Sequence, residues 1–367
     1  MAVDQISTTD AMEAFYQDIQ AKGLDALWRQ QGGPRGLPDQ PFVWRWSDIE
    51  PLVQRATELV KPGPNAERRV LTLNNPSIRG VGGATHSLTA AVQIVLPGEI
   101  APSHRHTAAA IRFIISGKGT ITMVNGEPCV MHPGDLILTP GWSWHGHINQ
   151  SDGPMLWMDS LDVPMVIGLR AMFQEGYPDE LNPATKAIGD SLARYGTGFL
   201  RPVWEHPDSP ISPLLSFPWT KTEPALHELA KYDSSPYDDI AFQYTNPATG
   251  GHVLPTMGCW IQMLRPDIHT KAHRHTTSQV YHVFRGRGST IVDGVQLDWE
   301  QGDFFAIPSW SVHEHLNRSS SEEAILFSTT DTPIYQALNL MIEEPYKENG
   351  GHQKVTSTWA PKQPSAA

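Results

Sequence analysis

Three histidines, His104, His106 and His145, are the residues of this chain best placed by type and spacing to do chemistry. His104 and His106 stand two apart in a run, Ser103 to Ser116, that reads as one strand, and alternate residues of a strand leave the same face. Both imidazoles therefore enter one interior. His145 follows two turn signals, Asn125-Gly126 and His132-Pro133-Gly134-Asp135, each able to reverse a strand and lay its successor alongside. A third nitrogen then reaches the same place. A lone H-x-H pair is more often two solvated histidines, but three neutral imidazoles on a rigid β scaffold make a site for a divalent transition metal.

The neighbours of these histidines suggest what such a metal would work on. Counting by twos along the same run, the inward positions are Ala108, Ala110 and Arg112. Two alanines leave space, and a guanidinium pointing into it is costly unless an anion such as a carboxylate meets its fork. An octahedral ion held by three imidazoles keeps three open positions: two for adjacent oxygens of a substrate and one over, the arithmetic of an oxygenase. His147 is two residues from His145 and faces the same cavity. It either moves a proton near neutral pH or only hydrogen-bonds to its neighbours, and the sequence leaves both readings open.

The elements that must position these residues come from a repeat. His104-Arg105-His106-Thr107 returns as His273-Arg274-His275-Thr276, and Gly134-Asp135, Pro140, Trp142, His145, His147 and Asn149 return as Gly302-Asp303, Pro308, Trp310, His313, His315 and Asn317. Self-similarity of this length implies two copies of one domain. The second copy has its own triad, His273, His275 and His313, as a possible second metal site. Its positions matching Ala108, Ala110 and Arg112 are Thr277, Gln279 and Tyr281, which implies less room and no cation.

Short apolar strands punctuated by Gly, Pro and Asn argue for an all-β sandwich or barrel in each copy. The expected layout is an N-terminal helical segment (1–65), a first β domain (66–173), an ordered connector (174–250), a second β domain (251–345) and a tail (346–367). Helices are expected over Asp10 to Arg29, over Asp48 to Val60 with a Ser47/Glu50 capping box and Pro51 in its first turn, over Pro164 to Phe173, over Glu223 to Tyr232, and after Asp331, with Ile334, Leu338 and Met341 on one face.

Composition narrows the function classes. With 367 residues, 40% of them hydrophobic, the chain can bury a core for about two domains, and no apolar run approaches a membrane span. The net charge of −12, without a basic stretch, argues against nucleic acid and anionic membrane surfaces. Two distant cysteines, Cys129 and Cys259, and a first ten residues unlike a signal peptide point to a reducing cytoplasm.

The motifs G-x5-H-x-H from Gly98 and G-x5-P-x4-H-x3-N from Gly134 resemble those of the cupin superfamily, whose fold is a jelly-roll β-barrel; the resemblance implies two tandem cupin domains. The glutamate that cupins usually add to their ligands is replaced by Ala110, and by Gln279 in the second copy. The runs Glu67-Arg68-Arg69-Val70-Leu71, Ala101-Pro102-Ser103-His104-Arg105-His106-Thr107, Ile111-Arg112-Phe113 and Asn246-Pro247-Ala248-Thr249-Gly250-Gly251 resemble the bicupin gentisate 1,2-dioxygenases and their salicylate-cleaving relatives, over roughly residues 40 to 345.

That resemblance implies an Fe(II) enzyme that opens a 2-hydroxybenzoate between its carboxyl-bearing and hydroxyl-bearing carbons with O2, and a homotetramer. It implies His104, His106 and His145 as iron ligands, Arg112 and Arg68 at the substrate carboxylate, and Gln93, His147 and Asp159 in the pocket. Whether Arg68 or the adjacent Arg69 faces inward stays open. Many gentisate enzymes carry a carboxylate where this chain has Gly146 and an aromatic residue where it has Thr89, which implies a wider or less polar pocket. Gentisate, salicylate, a 5-substituted ring such as 5-nitrosalicylate and 1-hydroxy-2-naphthoate all remain open. The competing classes are a bicupin binding or storage protein without turnover, and a manganese decarboxylase or oxidase of small acids.

Overall fold

A computed structural model of the protein describes residues 10–30, 39–61, 63, 68–78, 80 and 82–360. The first nine residues, on which most of the signal-peptide argument rests, and Glu67 of the family motif lie outside that set. The chain forms two units, divided after Pro38.

In the first unit a helix, Asp10–Ala21, is followed by a single 3-10 turn, Leu27–Gln30, instead of one helix to Arg29. Gly23 takes φ +70°, and the Leu24 N–H returns to the Ile19 carbonyl at 2.8 Å, a left-handed stop that ends the helix early. Trp28 donates to the Tyr16 hydroxyl at 3.2 Å, and Arg29 lies over the Tyr16 ring.

The second unit holds two β-barrels of two sheets each, as the repeat requires. In the first barrel one sheet orders the strands Ser216–Phe217, Leu136–Thr139, Ala110–Ser116, Met155–Leu161, Thr89–Val95 and Arg69–Leu73. The facing sheet orders Gln174–Gly176, Ile100–His106, His145–Ile148, Ile121–Val124 and Glu127–Val130. Asn125-Gly126 makes the tight hairpin turn expected, both residues at positive φ. The second barrel repeats this arrangement, with its triad on His273–His275 and His313–Leu316.

The histidine pair and the arginine do not share a strand. The run from Ser103 to Ser116 breaks at Thr107, so Ile100–His106 and Ala110–Ser116 belong to opposite sheets. Counting by twos across the break has no geometric meaning, yet Arg112 still faces inward. Its register partner Asp159 shares that face, while Ile111, Phe113, Met158 and Val92 leave the other side. That outer side packs against the second barrel, where Phe113 stacks on Phe327 with centroids 4.1 Å apart.

Two further helices interlock the barrels. Trp46–Leu59 begins two residues before the expected Asp48, so Pro51 falls beyond its first turn, and its N-cap, Arg45, makes no side-chain cap. Instead of a Ser47/Glu50 box, the buried carboxylate of Asp303 accepts the Trp46 N–H at 2.7 Å and pairs with the Arg45 guanidinium at 2.8 Å. The connector repeats the device: helix Trp219–Leu229 starts with the Trp219 N–H on Asp135 at 2.8 Å. Gly134 and Gly302, both at positive φ, let those tryptophans close; a Cβ on either would meet indole carbons at 2.5–2.6 Å. Each helix is held at its start by one barrel and lies against edge strands of the other.

Other boundaries also move. The helices after Asp162 and Asp331 are only Val163–Gly168 and Thr332–Ala337, and each is followed by a residue in the left-handed region, Arg170 or Asn339. Leu338 and Met341 thus lie beyond the helix that was to carry them. The chain turns back early because strands Gln174–Gly176 and Glu343–Pro345 must pair with the two H-x-H strands. The N-terminal segment is less helical than expected, since Phe42–Trp44 pairs with Phe304–Ala306, whereas the connector holds a second short helix, Asp190–Tyr195, besides the expected one, and its strand Ile240–Gln243 pairs with Trp260–Met263. No helix among the described residues is long and apolar enough to cross a membrane.

Candidate metal centre and substrate wall

The two H-x-H imidazoles and His145 converge because their strands pair with His104 opposite His145. Ring centroids are 5.3 Å apart for His104 and His106, 4.6 Å for His104 and His145, and 4.9 Å for His106 and His145. One donor atom from each lies within 4.8 Å of the others. Two tautomers are fixed by carbonyls: His106 Nδ1–H donates to the Ala108 oxygen at 2.7 Å and His145 Nδ1–H to the Ser143 oxygen at 2.9 Å, leaving Nε2 lone pairs. Among the described residues, His145 Nε2 has no hydrogen-bond partner although His145 is fully buried.

Protons do not compete for these nitrogens. Burial, then the charges of Arg68, His106 and Arg112, hold His104 down to about 2. Burial holds His106 at about 4, and burial with Arg112 and Arg68 keeps His145 well below the ordinary imidazole range. Three neutral nitrogens with an orphaned lone pair fit a divalent transition ion. Ala110, at the usual glutamate position, is fully buried and adds no ligand.

The wall facing the triad is built from the opposite sheet. Arg112 is 2% exposed and donates to the Thr139 hydroxyl. Its Nε stands 3.1 Å from Asp159 Oδ1, an ionic contact whose angles fall short of a hydrogen bond, so both atoms keep bonding capacity. Asp159 therefore orients the arginine rather than a histidine ligand, and its other oxygen accepts the Trp157 N–H at 3.0 Å. Gln93, 1% exposed and on the same face by register with Trp157, has an amide nitrogen without a partner among the described residues.

Arg68, not Arg69, turns toward the site. Its guanidinium donates to the Pro102 carbonyl at 2.7 Å and approaches His147 Nε2 at 3.3 Å. Arg69 points outward to Glu99, with two bonds of 2.6 and 2.8 Å. An arginine only donates, so His147 Nε2 is the acceptor and Nδ1–H faces the Thr122 hydroxyl at 2.9 Å. His147 is thus neutral and fully enclosed, its ring packed 4.8 Å from Trp157.

Gly146 does not line the cavity. It alternates with His145 and His147, and a Cβ there would meet Ser103 Oγ at 2.5 Å and Leu181 at 2.8 Å, on the side covered by the connector. The expectation that Gly146 leaves the pocket wider is therefore not met, because its side of the strand faces away from the cavity. Sequence reasoning missed Thr139, Trp157 and Thr122. Only Thr122 left a signal, since Thr290 repeats it and bonds His315 at the same 2.9 Å.

Residues 91–163 and 260–330 each match the family model described as Cupin domain. The chain is 39% identical to a 5-aminosalicylate 1,2-dioxygenase of Comamonas sp over 94% of its own length and 93% of that protein's. It is 36% identical to gentisate 1,2 dioxygenase 1 of Aquipseudomonas alcaligenes, covering 92% of this chain and 97% of the other. Its fold matches the crystal structure of the salicylate 1,2-dioxygenase from Pseudoaminobacter salicylatoxidans with gentisate, at a TM-score of 0.86 and 33% identity, over 93% and 96% of the two chains. The chain belongs to the gentisate and salicylate 1,2-dioxygenases. In this bicupin dioxygenase the second triad also converges, with donor atoms again within 4.8 Å, and His275 and His313 donate to the Thr277 and Ser311 carbonyls at 3.0 Å. The second barrel is not filled: its triad opens on a cavity of about 330 Å³ lined by Asp238, Gln279, Tyr281 and Glu343, with no lysine or arginine among the described lining residues.

Proposed function

We propose that the first barrel binds Fe(II) through His104, His106 and His145 and cleaves the ring of a 2-hydroxybenzoate between the carboxyl-bearing and hydroxyl-bearing carbons. Both atoms of O2 enter the product, which carries a new carboxylate at one end and a 2-oxo acid at the other; gentisate would give maleylpyruvate. The observation that carries this reading is the convergence of three imidazoles opposite a buried arginine whose Nε still lacks an aligned acceptor. Iron, when bound there, supplies an electron-rich Lewis acid with positions left free of protein.

Arg112 binds the substrate carboxylate, held in place by Thr139 and Asp159. Arg68 adds a second cation from the neighbouring wall, and the spare amide of Gln93 donates to a ring substituent. His147 holds Arg68. When that guanidinium turns to the substrate, the His147 Nε2 lone pair is freed to take the phenol proton, so one imidazole serves both roles the sequence left open. In the second barrel His273, His275 and His313 hold another ion without a substrate, because the acidic lining from Asp238 and Glu343 repels a carboxylate. The enzyme works as a homotetramer in a reducing cytoplasm by likeness to its family.

The test is oxygen uptake by iron-loaded protein offered gentisate, salicylate, 5-aminosalicylate, 5-nitrosalicylate and 1-hydroxy-2-naphthoate. One O2 consumed per ring lost is expected with at least one of them. No uptake with any, at one bound iron per first-barrel triad, would leave the binding-protein class standing.

A further inference from the structure

Glu314 sits between His313 and His315, so its side chain leaves the face of the second barrel opposite to the triad. That face is covered by chain near the C-terminus, and Glu314 is fully buried. A buried carboxylate needs charge or several donors nearby. Among the described residues no lysine or arginine pairs with it; what converges are two imidazoles from distant segments. His269 Nε2 lies 3.0 Å and His352 Nδ1 2.9 Å from the same oxygen, Glu314 Oε2, and the rings are 4.1 Å apart. The other oxygen accepts the Gln353 backbone N–H at 2.7 Å, which turns Oε2 toward the imidazoles.

We propose that His269, Glu314 and His352 form a zinc site that clasps the C-terminal segment to the second barrel. Two imidazoles and one carboxylate, with water in a fourth position, are a zinc donor set, and one donor atom from each residue lies within 4.8 Å of the others. Metal bonds of about 2.0–2.2 Å at a tetrahedral centre separate donors by roughly 3.3–3.5 Å, so each imidazole nitrogen need draw away from Glu314 Oε2 by only a few tenths of an ångström. The His269 and His352 side chains are 40% and 32% exposed, so an ion enters from solvent without opening the barrel. Beyond His352 the chain stays on the barrel, with Gln353 bonded to Gly294 and Ile291 and strand Ser357–Thr358 beside Val295 and Gln296. The other such grouping outside the barrels, Glu223, His227 and Glu323, is already neutralised by Arg285 at 2.8 and 3.2 Å.

The experiment is zinc titration of metal-stripped full-length protein, comparing wild type with His269→Ala and His352→Ala. Because the triads also take zinc, the reading is a difference: each variant should bind one zinc per chain less, while iron-loaded ring cleavage stays unchanged. Cobalt loading should give wild type a four-coordinate visible band stronger than that of either variant by the share of one ion per chain, and zinc should slow proteolysis of the C-terminal segment in wild type alone. Equal zinc stoichiometry in all three proteins, or a cobalt band of equal intensity in all three, would overturn the site.

Discussion

The two barrels hold the same three imidazoles at nearly the same spacings and differ in what faces them. Where the first has Arg112, Asp159 and Thr139, the second has Tyr281, Ser328 and Ile307, and at the position matching Arg68 by strand register it has Asp239, which pairs with Arg265 at 2.6 Å. Gln93 keeps its amide nitrogen spare, whereas Gln262 donates its own to the Asp238 carbonyl at 2.8 Å. Duplication thus preserved the strand pairing that gathers histidines and changed the opposite sheet. The convergence of imidazoles is a property of the fold's pairing; the buried cation belongs to one wall.

The sharpest way to break the comparison is to remove one triad at a time. His145→Ala should abolish first-barrel iron and lower ring cleavage by at least about 10³-fold, which corresponds to roughly 4 kcal/mol of barrier, while His313→Ala removes the second ion and leaves most turnover. Metal analysis and O2 uptake on both variants decide it, and equal losses would merge the two sites into one function. Next in size is Arg112→Ala, expected to cost about 2–4 kcal/mol in kcat/KM, mostly through KM, as for a buried charge pair that loses one partner. Iron content should not change; if iron is lost too, the arginine holds the metal site and not the substrate.

Smaller effects separate the glutamines. Gln93→Leu should raise KM for ring-substituted substrates without lowering the unfolding midpoint, whereas Gln262→Leu, which strands the Asp238 carbonyl, should cost about 1–2 kcal/mol of stability with KM unmoved. The smallest concerns the Arg69–Glu99 pair behind the first wall. Burial raises the Glu99 carboxyl, but Arg69 and the Leu96 N–H outweigh it and set the folded value below the ordinary one. The unfolded chain therefore binds the proton more readily. The pair's contribution, under about 1 kcal/mol for a partly exposed pair, is present above about pH 5 and lost as pH falls through the folded value. The wild-type advantage over Glu99→Gln in urea midpoint should shrink between pH 6 and pH 3.5; a constant difference would remove the ionic explanation.

How far the sequence could be read followed from range. The histidines were legible because an H-x-H pair and two turns fix local geometry, and the doubling of the pattern announced two barrels. Arg112 was found through a strand that does not exist: Thr107 breaks it, and the arginine faces inward because it pairs with Asp159, 47 residues distant in the chain. The capping box at Ser47 was good local chemistry that lost to a carboxylate at Asp303, whose approach no local pattern reveals. Gly146 was read as part of the pocket because its neighbours are, although alternation along the strand puts it on the other side.

The exchanged helices bear on how the protein comes into being. Helix Trp46–Leu59 leaves the ribosome early yet its first turn is held by Asp303, and helix Trp219–Leu229 is held by the earlier barrel while lying against the later one. Translation must therefore run past Asp303, beyond the middle of the second barrel, before the first is finished. Severing the chain near residue 205 would give two pieces that each carry the other's missing bolt, able to reassemble only as a pair.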